Sequence, residues 1–143
     1  VVDGSAGIGE DVLGFAAAAD RVLLVTTPDP AALTDAYGLL KALHERSEAG
    51  GPEIPTPEIV VNRASGLDEA ERTAARLRSV AERFLARSPH WAGWLPESPV
   101  VADSCRVQRP FGAEPRLSIA HACLDQLAAR FAHSKAAGRR GAR

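Results

Sequence analysis

The feature that most constrains this chain is the alternation of short apolar runs with longer segments of helical periodicity. The runs at residues 21–27, 58–62 and 91–95 are largely apolar, which is typical of strands buried on both faces of a sheet. Between them, at 30–48 and 67–87, apolar residues recur every three or four positions, as in amphipathic helices. This order predicts a parallel sheet with right-handed crossovers and helices on both faces.

Further elements extend the same pattern at both ends of the chain. We predict the end of a strand at Val1 and Val2, then helices over 10–20, 100–109 and 118–133. The predicted order is therefore β-α-β-α-β-α-β-α-α. The apolar faces expected to pack inward are Val12, Leu13, Phe15, Ala16 and Ala19, then Leu33, Ala36, Tyr37, Leu40 and Leu43, then Ala70, Ala74, Leu77, Val80, Ala81 and Phe84.

Composition narrows the class of protein. The chain has 143 residues, 45% of them hydrophobic, and a net charge of -1. This suits one globular domain, and it argues against nucleic acid as a partner because no broad basic surface is available. Cys105 and Cys123 lack CxxC spacing, so we expect two free thiols and a cytoplasmic location. Residues 134–143 are basic, and we expect a disordered tail after a domain at 1–133.

The loops that follow the predicted strands are where a ligand is expected, because ligands of open α/β sheets bind beyond the carboxyl ends of the strands. The first such loop, DGSAGIG at residues 3–9, places an Asp and glycines between a strand and a helix. An acid there can hold a metal ion through water, and glycines let backbone N–H groups approach a phosphate. The alternative is a plain turn in which Asp3 and the glycines serve only the backbone.

Four segments carry a resemblance to a known family. DGSAGIG (3–9) resembles the Asp-x-x-Ala-Gly switch II segment of the MinD/ParA ATPases, which have a deviant Walker A motif. TTPDPAALTDAY (26–37) more specifically resembles a segment typical of the flagellar number regulators of the FlhG (FleN) type. VVNR (60–63), and QRPF (108–111) with Pro115 and Ser118, resemble further segments of that family in the same order.

The resemblance implies a nucleotide site. It makes Asp3 the Walker B acid that holds Mg²⁺ through a water, and Gly7 a donor of its backbone N–H to the γ-phosphate of ATP. It places the adenine ring against Asn62, Arg63, Pro96 and Glu97. Ordinary turn and capping roles are the alternative for these residues.

The resemblance also implies a fold: the C-terminal part of a MinD-like P-loop NTPase of the SIMIBI class, an α/β fold with a mostly parallel sheet. The sequence departs from the family because no GxxxxGK[ST] or KGGxGK-like stretch occurs in it. The phosphate-binding loop and the N-terminal part of the fold are therefore expected to be missing. We expect no ATP hydrolysis by this chain alone.

The function implied by the resemblance is that of an ATP-dependent dimer switch that regulates flagellar number or placement. Its implied partners are a second copy of the protein, a signal-recognition-type GTPase, flagellar C-ring proteins and the inner face of the membrane. Two alternatives stay open: a ParA- or MinD-type positioning ATPase with another cargo, and a degenerate, non-enzymatic module that only binds a partner.

Overall fold

A computed structural model describes residues 1–4, 6–113 and 118–138. Helices and strands alternate along the chain from the first helix onward. The elements are α1 (Glu10–Ala18), β1 (Leu23–Thr26), α2 (Pro30–Glu48), β2 (Glu58–Ala64), α3 (Leu67–Leu85), β3 (His90–Pro96), α4 (Pro99–Arg106), a 3₁₀ turn (Phe111–Ala113) and α5 (Ile119–Gly138).

The three strands form one sheet in the order β1-β2-β3, and both pairings are parallel. The predicted parallel α/β architecture is confirmed. The predicted strand at Val1 and Val2 is wrong: the described residues contain no strand before β1, and both valines are exposed. A strand needs a neighbour to pair its backbone groups, and these two residues pair with none in the described part of the chain.

Helices cover both faces of the sheet, as predicted. Ile59 and Val61 of β2 point to one face and pack in a core with α2 and α3. Val60, between them, points to the other face and packs against Leu127 of α5. Because side chains alternate along a strand, β2 is buried on both sides.

β1 departs from the prediction that it is buried on both faces. Leu24 and Thr26 lie inside, whereas Leu23 and Val25 are 45% and 58% exposed. Val25 pairs in register with the buried Val60, so the two share a face of the sheet. Helix α5 packs over β3 and covers Val60, but it leaves this face of β1 open.

Local sequence signals set the bounds of α2. Asp29 caps its start: its carboxylate accepts from Ala31 N at 2.7 Å and from Ala32 N at 3.4 Å, and Pro30 occupies the first turn. Gly50, which lies just after the end of the helix, has a φ of 81°. The N–H of Gly51 then donates to Arg46 O at 3.2 Å, which completes a Schellman motif.

The predicted core faces hold for most positions but not all. Of the first three helices, Leu13, Ala36, Leu40, Leu43, Ala70, Ala74, Leu77 and Ala81 are buried. Phe15 in α1, and Val80 and Phe84 in α3, are exposed instead. The buried positions of α3 are Ala70, Thr73, Ala74, Leu77, Ala81 and Leu85.

Helix α5 approaches β3 closely at Gly93. This residue has a φ of 152°, and a Cβ there would lie 2.8 Å from Cδ2 of Leu127. The register of β3 against β2 also shifts here, because Ile59 pairs with Trp91 while Val60 pairs with Gly93. Only a residue without a side chain allows this backbone conformation and this distance together.

The last helix extends beyond its predicted end, to Gly138. Residues 139–143 of the proposed basic tail lie outside the described residues. The division into a domain at 1–133 and a disordered tail at 134–143 stays a prediction.

Candidate functional site

The carboxyl ends of the three parallel strands lie at one edge of the sheet, where the sequence places its candidate site. Ala64 near the end of β2 pairs in register with Pro96 of β3, so the two loops that begin there are adjacent. The N–H of Glu97 donates to Ala64 O at 2.9 Å and joins them directly. Asn62, Arg63, Pro96 and Glu97 thus lie at the ends of adjacent strands, and their assignment to an adenine pocket stays a prediction.

Arg63 has an unusual backbone conformation. Its φ of 56° lies in the left-handed region, which non-glycine residues rarely adopt. Its N–H donates to Oδ1 of Asn62 at 2.9 Å. Ala86 and Gln108 have the same kind of backbone conformation outside this group, so the φ of Arg63 describes the shape of the loop and does not by itself mark a binding site.

An ion pair connects the two loops. The guanidinium of Arg63 lies 3.1 Å from Oε1 of Glu97, and both side chains are about two-thirds exposed. The family resemblance places both residues in the adenine pocket, but it does not predict this contact between them. The only signal available in the sequence is their opposite charge at the ends of two consecutive strands, which gives no distance.

The loop after β2 is also held at its far end. The N–H and the hydroxyl of Ser65 each donate to Oε2 of Glu69 at 2.7 Å. The hydrogen bond from the Ser65 backbone, and then the one from its hydroxyl, lower the pKa of Glu69 below its usual value, and the charge of Arg72 contributes less. The loop from Asn62 to Gly66 is therefore fixed by side-chain contacts on both sides.

The loop after β1 is shaped by Thr26. This residue is buried, and its hydroxyl donates to Ala32 O at 3.2 Å. Because Ala32 lies in the first turn of α2, the contact fixes where the helix starts relative to the strand. Asp29, the helix cap, lies between them.

Asp3 and Gly7 are not brought to this group by any contact in the described part of the chain. Both lie in the exposed segment before α1, and Gly7 has a φ of 114° with open space where a side chain would be. Among the described residues, no three His, Cys, Asp or Glu side chains are grouped so as to hold a metal ion. One exposed carboxylate does not make a Mg²⁺ site by itself, so the proposed roles of Asp3 and Gly7 stay predictions.

A cavity at the opposite edge of the sheet does not belong to this site. Its volume is about 420 Å³, and it is lined mainly by the end of α2 and the loop after it, with Leu85, Ala86 and Arg87. These residues precede the amino ends of β2 and β3. No predicted site residue lines it.

Comparison with known proteins identifies relatives. No family model matches the chain. Over 117 residues it is 35% identical to the antiactivator FleN of Pseudomonas aeruginosa, which corresponds to 81% of this chain and 40% of FleN. This chain is a homologue of FleN. It is also 34% identical over 102 residues to the flagellum site-determining protein YlxH of Helicobacter pylori, corresponding to 71% of this chain and 32% of YlxH.

The fold agrees with these relatives. The cell division protein MinD of Aquifex aeolicus superposes with a TM-score of 0.65 at 18% identity, over 89% of this chain and 50% of MinD. A second structure, the MinC:MinD complex of the same organism, gives a TM-score of 0.61 at 20% identity. The chain therefore has the fold of the C-terminal part of a MinD-like P-loop NTPase, and the predicted resemblance and fold class are confirmed.

The homology covers only part of each relative. The chain spans less than half the length of FleN and of YlxH, so the activity and partners of the whole proteins come to it only as proposals. Within the described residues, no helix combines the length and the apolar character needed to cross a bilayer.

Proposed function

We propose that this chain is part of an ATP-dependent positioning protein that regulates the number or placement of flagella, and that it supplies the base-binding end of the nucleotide site. The name of YlxH, a flagellum site-determining protein, supports the flagellar role, and the similarity to the antiactivator FleN agrees with a regulatory role. The single structural observation that carries the nucleotide role is the grouping of Asn62 with Arg63 and Glu97 beyond the carboxyl ends of β2 and β3.

Asn62 is suited to hold a purine base. An amide offers two donors and an acceptor in one plane, and an adenine edge offers complementary groups. One lone pair of its Oδ1 accepts from Arg63 N, while no hydrogen bond to its Nδ2 is present among the described residues. The two N–H donors and the second lone pair are therefore available to a ligand.

The proposed cofactors of the whole protein are ATP and Mg²⁺, with Asp3 as a water-mediated metal ligand and Gly7 near the γ-phosphate. When bound, ATP would supply a phosphate whose presence or absence favours different arrangements of two subunits. The base site at Asn62 would orient the nucleotide, and Pro96 would contribute its backbone. The proposed partners are a second copy of the protein, a signal-recognition-type GTPase and flagellar C-ring proteins, at the cytoplasmic face of the membrane.

A cellular experiment tests the flagellar role. In the organism that encodes this chain, deletion of the gene should change the number or position of flagella, counted by electron microscopy. Complementation with the native gene should restore them, and complementation with Asn62→Ala should not. Arg106→Ala is the matched control, because the Arg106 side chain is exposed at the end of α4 and pairs with Asp103, which is not a proposed site residue.

The same experiment separates the alternatives. Normal flagella with disturbed cell division or DNA segregation would replace this proposal with a MinD- or ParA-type role. The second candidate is a module that binds a partner without nucleotide. Full complementation by Asn62→Ala would support that candidate.

A further inference from the structure

The geometry points to Arg63 and Glu97 as positioning residues that hold the amide of Asn62 in place for a purine base. This inference rests on the proposed nucleotide-binding role of Asn62 and adds to it. Neither Arg63 nor Glu97 needs to touch the base. Their contribution is to fix the loop that carries Asn62 relative to the loop that follows β3.

The first step is the contact between adjacent residues. The N–H of Arg63 donates to Oδ1 of Asn62 at 2.9 Å. An amide side chain that accepts such a bond loses part of its rotational freedom before any ligand arrives, and preorganisation of this kind favours binding. A contact that holds the Arg63 backbone in place therefore also holds the donor to which the Asn62 amide is bound.

The second step is the contact across the two loops. The guanidinium of Arg63 pairs with Glu97, a residue 34 positions later, at 3.1 Å. The backbone of Glu97 is itself fixed, because its N–H donates to Ala64 O at 2.9 Å. The ion pair thus connects Arg63 to a residue that is held directly after the end of β3.

The third step concerns what the pair does for stability. The two side chains are 67% and 66% exposed, and exposed pairs contribute little to the free energy of unfolding. The location of the pair, beside the Asn62 amide, gives it a local geometric role instead. We expect its removal to change order and ligand affinity at Asn62 while leaving the global stability almost unchanged.

The chain contains a matched control. Arg106 and Asp103 form another exposed ion pair at the same distance, 3.1 Å, with side chains 79% and 67% exposed. This pair lies within α4 and touches no proposed site residue. Arg106→Ala therefore removes the same kind of interaction without affecting the two loops.

The test uses the complete 143-residue chain labelled with ¹⁵N. Two quantities are measured in Arg63→Ala, Glu97→Gln and Arg106→Ala: the relaxation of the Asn62 side-chain amide without ligand, and the Kd for adenosine monophosphate. We expect the first two variants to increase the mobility of the amide and to weaken binding about two- to five-fold, the range of an exposed pair. Arg106→Ala should change neither quantity.

Two further variants separate positioning from simple loss of a side chain. Arg63→Lys keeps the charge and should restore most of the affinity, and the exchanged pair Arg63→Glu with Glu97→Arg should bind more tightly than either single exchange. An unchanged Asn62 amide in Arg63→Ala and Glu97→Gln would overturn the positioning role, whatever the affinity. If the two variants show the expected amide mobility but the native chain binds no adenosine monophosphate, the proposed base-binding function fails instead, and positioning for a base fails with it.

Discussion

The guanidinium of Arg21 donates two hydrogen bonds, each of 2.7 Å, to the two carboxylate oxygens of Glu58. Arg21 precedes β1 and Glu58 begins β2, so this pair aligns the entrances of the two strands. Arg130 of α5 approaches the same carboxylate at 3.5 Å, and the Arg21 guanidinium lies 4.5 Å from the ring centroid of Phe131. One carboxylate therefore connects two strands and the helix that covers them.

Substitution Glu58→Gln tests this connection. The Glu58 side chain is 12% exposed and that of Arg21 is 27% exposed, so removal of the charge leaves two arginines without their partner in a partly buried setting. We expect a loss of about 2 kcal/mol in the free energy of unfolding, between the values for exposed and buried pairs. The measurement is the urea midpoint at neutral pH.

The control for this variant is Glu45→Gln. Glu45 forms an exposed pair with Lys41 at 3.6 Å, which should contribute less than about 0.5 kcal/mol. Equal urea midpoints for the two variants would show that the Glu58 cluster does not stabilise the fold.

Gly93→Ala tests the close packing of α5 on β3. The added Cβ would lie 2.8 Å from Leu127 at a φ of 152°, so both contact and conformation are unfavourable. We expect a loss of about 1–3 kcal/mol in the free energy of unfolding, measured by urea denaturation. Gly38→Ala, inside α2 with open space around it, should instead stabilise by about 0.5–1 kcal/mol. A neutral Gly93→Ala would contradict the described approach of α5.

We expect Glu69 to make the free energy of unfolding depend on pH in the acidic range. Hydrogen bonds from Ser65 lower its pKa in the folded chain, so its contribution is present above the unfolded pKa of about 4.3 and is lost as the pH falls through the lower folded value. Glu69→Gln should therefore reduce the difference in urea midpoint between pH 7 and pH 3. If the variant retains the full native difference, the carboxylate does not bind Ser65 in solution.

The two thiols should react at different rates. Cys105 is exposed, whereas Cys123 is buried, and burial raises the pKa of the Cys123 thiol. Because the thiolate is the reactive form, a disulfide reagent at pH 7.5 should modify one thiol rapidly and the second only after unfolding. Cys105→Ser should remove the rapid phase. A rapid phase that persists in this variant would show that Cys123 is accessible.

The sequence correctly predicted those helices and strands whose local signals agree with their long-range packing. The predicted bounds of α2 are confirmed at both ends, because Asp29 and Pro30 start the helix and Gly50 ends it. The exposure of Val25 was not predictable in the same way. An apolar run indicates a strand with two buried faces, but which strands α5 covers depends on packing between distant parts of the chain.

The candidate site likewise has some features that the sequence predicts and others that it does not. A polar residue at the end of an apolar run predicts where Asn62 lies, and the parallel order of the strands places Pro96 beside Ala64. The left-handed backbone of Arg63 and its contact with Glu97 depend on how two loops meet. No periodicity or residue type in the sequence carries that information.

The most direct test of the central claim is a titration of the ¹⁵N-labelled chain with adenosine monophosphate, followed through its backbone amides. Uridine monophosphate serves as the control ligand with the same phosphate. If this chain supplies the base-binding end of a nucleotide site, the amide resonances of Asn62, Arg63 and Glu97 should shift when the purine nucleotide is added. The same resonances should not shift when the pyrimidine nucleotide is added. No shift at these three amides with millimolar adenosine monophosphate, or equal shifts with both ligands, would contradict the account.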